Sequence, residues 1–205
     1  MSRTPASALA SASQSFPAFD ATNCCRDRYD LLDALANQGF HGWGIELGVA
    51  SGNYSLEMLR RTGLTKVISV DMWANDRGHD DAQRNGARAM LQPFGSRSCT
   101  LWGKFEDILP AFGDNLFDLV YVDGYAHTGE AGGGTIVDWW PKVRPGGVFG
   151  GHDYSTEWPK VQAAVDGFTA TKGLLVHTIG PASKETEPAA ENDCCASWFV
   201  VKPLK

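Results

Sequence analysis

Residues 43–52, WGIELGVASG, decide the fold of this 205-residue chain. The first five residues, WGIEL, are apolar apart from one acid and predict a buried strand. A glycine-rich turn follows, and the residues from there to Arg61 predict a helix. A buried strand that turns directly into a helix opens a βα unit, so the stretch predicts a parallel sheet covered by helices.

The same alternation continues along the chain. Further strands are predicted where β-branched, aromatic and glycine residues form short apolar runs: KVISVD (66–71), CTLW (99–102), FDLVYVD (117–123) and GGVFGG (146–151). The helices are predicted at 22–38, 80–92, 105–109, a segment ending near Trp140, and 158–169. Two final strands, LLVHTI (174–179) and SWFVV (197–201), have no helix between them, which predicts antiparallel pairing at one edge of the sheet. We therefore predict one α/β domain, residues 21–205, with helices on both faces of a mostly parallel sheet.

The turn after the first strand predicts which ligand the sheet binds. Gly48 and Gly52 allow a backbone to approach a ligand without a Cβ in the way. A dinucleotide site has the spacing GxGxxG, whereas this turn has GxxxG, with Glu46 two residues before the first glycine. Two like charges about 4 Å apart repel by roughly 4 kcal/mol at intermediate dielectric, so Glu46 opposes a pyrophosphate. The carboxylate suits the positively charged α-amino group of S-adenosylmethionine (SAM), and this favours SAM over NAD.

Residues after the second and third strands extend the predicted cofactor site. Asp71 ends the second strand, where an acid accepts hydrogen bonds from ribose hydroxyls. Trp73, and Phe105 with Glu106 after the third strand, are placed to border the adenine. The predicted cofactor-binding set is completed by neighbours of these positions and by the acid that ends the fourth strand: Ser51, Met72 and Asp123.

The segments ELGVASGNYS, SVDMW, DLVYVDG and WWPKVRPGGVFGGHDY together resemble class I SAM-dependent methyltransferases. More narrowly, the chain resembles a bacterial branch with DGxH and GHDY motifs, which includes sugar and natural-product O-methyltransferases, some of them Mg-dependent. The resemblance covers about residues 22–165. It implies a Rossmann-like class I methyltransferase sheet with an antiparallel C-terminal edge strand, SAM as cofactor, and a divalent cation on the acids matching Asp123 and Asp153.

The chemistry predicted for these motifs is proton removal from an acceptor hydroxyl. Asp123 ends the fourth strand and Asp153 follows the fifth, so both carboxylates meet at one edge of the sheet, where hard oxygen ligands suit Mg²⁺. His127 is the candidate general base, although DGYAH places it four residues after the acid where the family has three. His152 is the reserve base or a third metal ligand. Without a ligand, Asp123 would be a turn residue and Asp153 a helix cap.

Composition limits the partners. The formal net charge of −6 argues against a nucleic-acid surface, and no run of 18 apolar residues is present to span a membrane. Five cysteines without CxxC spacing predict reduced thiols and a cytoplasmic protein. Residues 1–20 predict a disordered tail, with an organelle-targeting peptide as the alternative.

Several functions stay open at this point. The primary hypothesis is metal-assisted O-methylation of a small acceptor such as a sugar or phenol. The rivals are a metal-independent N- or O-methyltransferase, a nicotinamide dehydrogenase, and an inert SAM-binding interaction module. The sequence does not decide between a monomer and a homodimer.

Overall fold

The described residues of the chain form a seven-stranded sheet with helices on both faces, as a computed structural model shows. The structure describes residues 17–22, 24–76, 78–124, 129, 132–182 and 195–204. The strands are β1 Trp43–Leu47, β2 Lys66–Asp71, β3 Ser98–Trp102, β4 Phe117–Val122, β5 Val143–Gly151, β6 His177–Ile179 and β7 Ser197–Val201. The helices are α1 Arg28–Asn37, α2 Asn53–Arg61, α3 Asp81–Leu91, α4 Phe105–Ile108, α5 Gly134–Trp139 and α6 Pro159–Lys172.

The strand order is β3-β2-β1-β4-β5-β7-β6, and β1 to β5 pair in parallel. Strand β7 runs antiparallel to both of its neighbours, β5 and β6. The predicted fold class and the antiparallel pairing of the last two strands are confirmed. Strands β2 and β3 are added on one side of β1, and β4 and β5 on the other. The order in which strands are added therefore reverses between β1 and β4, which is where a parallel sheet opens a crevice for ligands.

The two sides of the sheet follow from the alternation of side chains along each strand. In β4, Leu119 and Tyr121 pack with α1 and α2, while Val120 and Val122 pack with α5 and α6. Both faces are therefore buried under helices, which is why these strands are continuously apolar.

Several element ends differ from the predictions. Helix α1 begins at Arg28, not at residue 22, because the Asp27 carboxylate caps it by accepting the N–H groups of Tyr29 and Asp30 at 2.9 and 3.0 Å. Helix α6 continues to Lys172, and Gly173 ends it in the left-handed conformation, with φ +63°. Strand β6 is shorter than the predicted 174–179 because it starts only at His177.

A buried ion pair lies at the amino-terminal edge of the sheet, opposite the ligand crevice. Arg144 in β5 pairs with Asp118 in β4, and their side chains are only 5% and 3% exposed. Asp118 also accepts the Gly42 N–H at 2.6 Å, and Arg144 donates to the Pro17 carbonyl at 2.9 Å. The pair joins the starts of three strands to the segment before α1.

The cysteines differ in part from the prediction of reduced thiols. The sulfur atoms of the neighbouring residues Cys24 and Cys25 form a disulfide, whereas Cys99 and Cys195 belong to no disulfide. This bond joins consecutive residues and closes no loop of the chain, so it is not a disulfide framework. In the described part of the chain, no helix combines the length and apolarity needed to cross a bilayer.

Candidate active site

The carboxyl ends of β1, β4 and β5 meet at one point of the crevice. The Asp123 N–H donates to the Leu47 carbonyl at 2.7 Å, and the His152 N–H donates to the Val122 carbonyl at 2.9 Å. These hydrogen bonds extend the parallel ladder one residue beyond each strand. The first residues of the loops after β4 and β5 are therefore fixed by the sheet.

Gly48 is required by the close approach of two of these loops. Its φ is +96°, and a Cβ added there would lie 2.7 Å from the carbonyl carbon and oxygen of Asp123. Gly52, with φ +88°, turns the chain into α2, and its Cβ would lie 3.2 Å from the Ala87 Cβ on α3. Both glycines of the GxxxG turn are thus fixed by backbone geometry, and Gly48 leaves bare backbone at the floor of the crevice.

Glu46 lies beneath this turn and is 1% exposed. It accepts a short hydrogen bond from the Ser55 hydroxyl, which is 2.6 Å from the Ser69 hydroxyl. Burial raises the pKa of Glu46 well above its ordinary value, and the charges of Asp123 and Asp71 raise it further. A cation beside this carboxyl group would favour its charged form and oppose the effect of burial.

Asp71 organises the glycine turn. One carboxylate oxygen accepts the N–H groups of Val49 and Ala50, both at 2.8 Å, and the other accepts the Trp73 N–H at 3.0 Å. The side chain is partly exposed, so the predicted contact with ribose hydroxyls and this support of the turn are compatible.

The two aromatic residues predicted to border adenine are both buried. Trp73 is 1% exposed and donates its indole N–H to the Ala50 carbonyl at 3.0 Å. Phe105 is 5% exposed and belongs to the core on the α5 and α6 side of the sheet. Of the smaller predicted contacts, Ser51 is exposed and Met72 is partly buried.

Trp102, which the sequence analysis did not select, is an exposed aromatic residue at this edge. It ends β3 opposite Asp71 in β2 and is 67% exposed. Its indole N–H donates to the Met72 carbonyl at 2.6 Å, and the Arg84 guanidinium lies 4.4 Å from the centre of its ring. The usable signal was its position at the end of the predicted strand CTLW, because the carboxyl ends of parallel strands border the ligand crevice.

Asp123, His152 and Asp153 form one cluster. One ligand atom from each lies within 4.8 Å of the others, and His152 is buried. The His152 Nδ1 atom is 3.0 Å from Asp153 and 3.5 Å from Asp123. The predicted meeting of the two acids is confirmed as geometry, and His152 joins them. His127, the predicted general base, lies outside the described residues.

Arg28 is a second residue that the sequence analysis did not select. It is the first residue of α1, its side chain is 10% exposed, and its Nη1 atom donates to Asp123 at 3.0 Å. Its guanidinium carbon lies 5.4 Å from the Tyr29 ring centre and 5.1 Å from that of Tyr54. Sequence gave little signal for this placement, because an arginine at a helix start is ordinarily solvated.

Residues 45–154, more than half of the chain, match the family model described as a methyltransferase domain. The chain belongs to this methyltransferase family. It is a SAM-dependent enzyme, as the resemblance of its motifs implied. No curated protein sequence matches the methyltransferase.

Solved structures share the fold of the methyltransferase at low sequence identity. An O-methyltransferase from Bacillus cereus in complex with SAH is 16% identical, with a TM-score of 0.62 over 91% of this chain and 84% of that chain. The O-methyltransferase TomG from Streptomyces achromogenes, involved in tomaymycin synthesis and in complex with SAM, is 16% identical, with a TM-score of 0.60 over 84% and 78%. Precorrin 8W decarboxylase from Methanobacterium thermoautotrophicum is 17% identical, with a TM-score of 0.60 over 84% and 88%. At these identities the likeness establishes the fold, and one fold hosts different reactions.

The residues of the methyltransferase fit SAM. Gly48 lets the backbone after β1 lie directly against the backbone after β4 at the crevice, and Glu46 supplies a buried acid for a cationic group. The cluster of Asp123, His152 and Asp153 also fits a divalent cation, since it offers two carboxylates and an imidazole within reach of one ion.

Proposed function

We propose that the methyltransferase methylates a hydroxyl oxygen of a small acceptor, with a divalent cation, best Mg²⁺, held by Asp123 and Asp153. The observation that carries the proposal is the convergence of Asp123, His152 and Asp153 within 4.8 Å at the carboxyl edge of the sheet. Two solved neighbours named as O-methyltransferases support oxygen as the acceptor atom.

SAM supplies an electrophilic methyl group, so the protein must align the acceptor and remove its proton. Asp123 and Asp153 provide the negative charge that holds a cation near the acceptor oxygen, and a cation lowers the pKa of a bound hydroxyl. His152 lies between the two acids and is the third ligand in this arrangement.

Residues after Asp153 suit an acceptor that contains a ring. Tyr154 donates its hydroxyl proton to Asp166 at 2.7 Å, which fixes the phenol, and Trp158 at the start of α6 is 36% exposed. Aromatic faces near a catalytic cluster bind sugars and phenols by stacking. We therefore propose a sugar, phenol or other hydroxylated metabolite as the acceptor.

The structure also supports a metal-independent reaction as a second candidate. A neutral His152 that donates its Nδ1–H to Asp153, 3.0 Å away, keeps Nε2 as a proton acceptor. In this arrangement His152 is the general base and the two acids orient it. The cluster of Asp123, His152 and Asp153 is therefore compatible with two roles, a set of metal ligands or a histidine base oriented by carboxylates.

Calorimetric titration with Mn²⁺ and Mg²⁺, in the presence of S-adenosylhomocysteine, distinguishes the two candidates. The metal-assisted reaction predicts one cation site in the wild type that Asp153→Asn weakens by about tenfold or more, as expected when a ligand is lost. Asp107→Asn, which removes an exposed acid of α4, is the matched control and should leave the site unchanged. Absence of a cation site in the wild type would refute metal assistance and favour His152 as the base.

A further inference from the structure

The acids at the crevice attract one end of an amino-acid group, its ammonium, and repel the other end, its carboxylate. Glu46, Asp71 and Asp123 are acids at the ends of β1, β2 and β4, and they suit the ammonium of the methionine part of SAM. The same acids repel its carboxylate. A carboxylate that binds here needs a cation close to the end of β4.

Arg28 is that cation. Among the residues that the structure describes, Arg28 forms an ion pair with an acid of this edge, Asp123, at 3.0 Å. The charge of Arg28 partly opposes the rise in the pKa of Glu46 that burial causes. From this position we propose that Arg28 binds the carboxylate of the methionine part of SAM.

The guanidinium is held ready for such a ligand. Its packing against the rings of Tyr29 and Tyr54 restricts its movement, and the Tyr54 hydroxyl donates to the Arg28 carbonyl at 3.3 Å. The side chain is nine-tenths buried, so its interaction with a carboxylate is weakly screened by water. Arginine also presents a planar set of donors that matches a carboxylate in a two-point contact.

The Arg28–Asp123 pair has the same two charges as the amino-acid group of SAM. When SAM binds, its carboxylate takes the place of Asp123 at Arg28, and the acids of the edge face its ammonium. One ion pair is thereby exchanged for two, and neither Arg28 nor Asp123 is left as an isolated buried charge. The inference rests on SAM dependence and adds the residue that recognises one end of the cofactor.

Two ligands separate this role from a structural one: SAM, and decarboxylated SAM, which lacks only the carboxylate. In calorimetric titrations, Arg28→Gln should raise the Kd of SAM by about 10- to 100-fold, as expected for loss of a charge-assisted hydrogen bond. The Kd of decarboxylated SAM should change by less than about threefold, because that ligand has no group for Arg28 to bind.

Arg61→Gln is the matched control. Arg61 on α2 lies 5.3 Å from the centre of the same Tyr29 ring but pairs with Asp33 and Glu57, away from the crevice. Its replacement should leave both dissociation constants within about threefold of the wild type. The comparison separates loss of a cation against Tyr29 from loss of the carboxylate partner.

Equal weakening of both ligands by Arg28→Gln, or an unchanged Kd for SAM, would overturn the proposal. If Arg28→Gln does not fold, Arg28→Lys keeps the charge but not the planar fork, and it should weaken SAM by roughly three- to tenfold with little effect on decarboxylated SAM. The wild type should also prefer SAM to its decarboxylated form, and equal affinities would contradict the role of Arg28. Failure of the wild type to bind either ligand would instead refute SAM dependence itself.

Discussion

Replacement of Gly48 by alanine tests whether the bare backbone between β1 and β4 is required. The added Cβ would lie 2.7 Å from the carbonyl carbon and oxygen of Asp123 and from the amide nitrogen of Gly124. All three are backbone atoms held by the sheet, so no side-chain rotation relieves the contact. The residue must also adopt φ +96°, which alanine disfavours.

The magnitude follows from these two effects. A positive φ in a residue with a Cβ costs roughly 1–2 kcal/mol, and overpacking of a fixed site costs typically about 1–3 kcal/mol. We therefore expect Gly48→Ala to lower the free energy of unfolding by about 2–4 kcal/mol. For a chain of this size, that corresponds to a fall in Tm of roughly 5–15 °C.

Gly78→Ala is the matched control. Gly78 has φ +86°, but a Cβ there meets nothing within 4 Å. Its replacement therefore carries only the conformational cost, about 1–2 kcal/mol. Urea unfolding of both variants and of the wild type measures the difference, and titration with S-adenosylhomocysteine measures binding by the variants that fold. If Gly48→Ala is no less stable than Gly78→Ala, the argument from close approach is refuted.

Three further predictions concern charge and stacking. Since the native pKa of Glu46 is raised, the folded state holds a proton that the unfolded state loses above about pH 4.3, so the free energy of unfolding falls as pH rises through that window. Glu46→Gln should remove this fall in urea unfolding measured from about pH 4 to 8, and it should also weaken SAM binding. An unchanged pH profile would contradict the burial argument. Asp118→Ala leaves Arg144 buried without its carboxylate and should cost about 3–5 kcal/mol in urea unfolding, against roughly 0–1 for the exposed Asp114→Ala, so similar costs would refute the assignment. Trp102→Leu removes the exposed ring opposite Asp71 and should weaken binding of S-adenosylhomocysteine by about three- to tenfold in calorimetry, whereas unchanged affinity would exclude stacking on adenine.

The strands of the sheet were predictable because apolar runs such as FDLVYV can be recognised within a single segment of the sequence. A strand buried on both faces must be apolar throughout, so its position can be read without knowledge of its neighbours. The glycines of the GxxxG turn were also predictable, since positive φ is a property of single residues. The start of α1 was missed because the prediction rested on the spacing of apolar residues, whereas the first turn is set by the Asp27 cap.

The composition of the site was predictable only in part. Asp123 and Asp153 were found because strand ends in a parallel sheet share one edge. Arg28 was missed because its partner, Asp123, is 95 residues away, and no local pattern reports a contact between a helix start and a distant strand end. Trp73 and Phe105 were assigned to adenine from their position alone, whereas packing buries both. Contacts across the sheet depend on strand register and helix placement, so they cannot be predicted from local sequence patterns.

Most of the non-glycine residues with a positive φ in the described part of the chain lie on loops at the carboxyl edge of the sheet. Ala50, Trp73 and Asp153 have positive φ values of +47°, +38° and +62°, a conformation that costs such residues of order 1 kcal/mol or more. Glu46 is buried with a raised pKa at the same edge. Each of these features opposes folding, and each lies on a loop that follows β1, β2 or β5, or at the end of β1 itself. The buried strands, joined at the opposite edge by the Asp118–Arg144 pair, supply the stability that offsets these costs. The sheet therefore keeps the strained and charged loops in the geometry that a cationic cofactor needs.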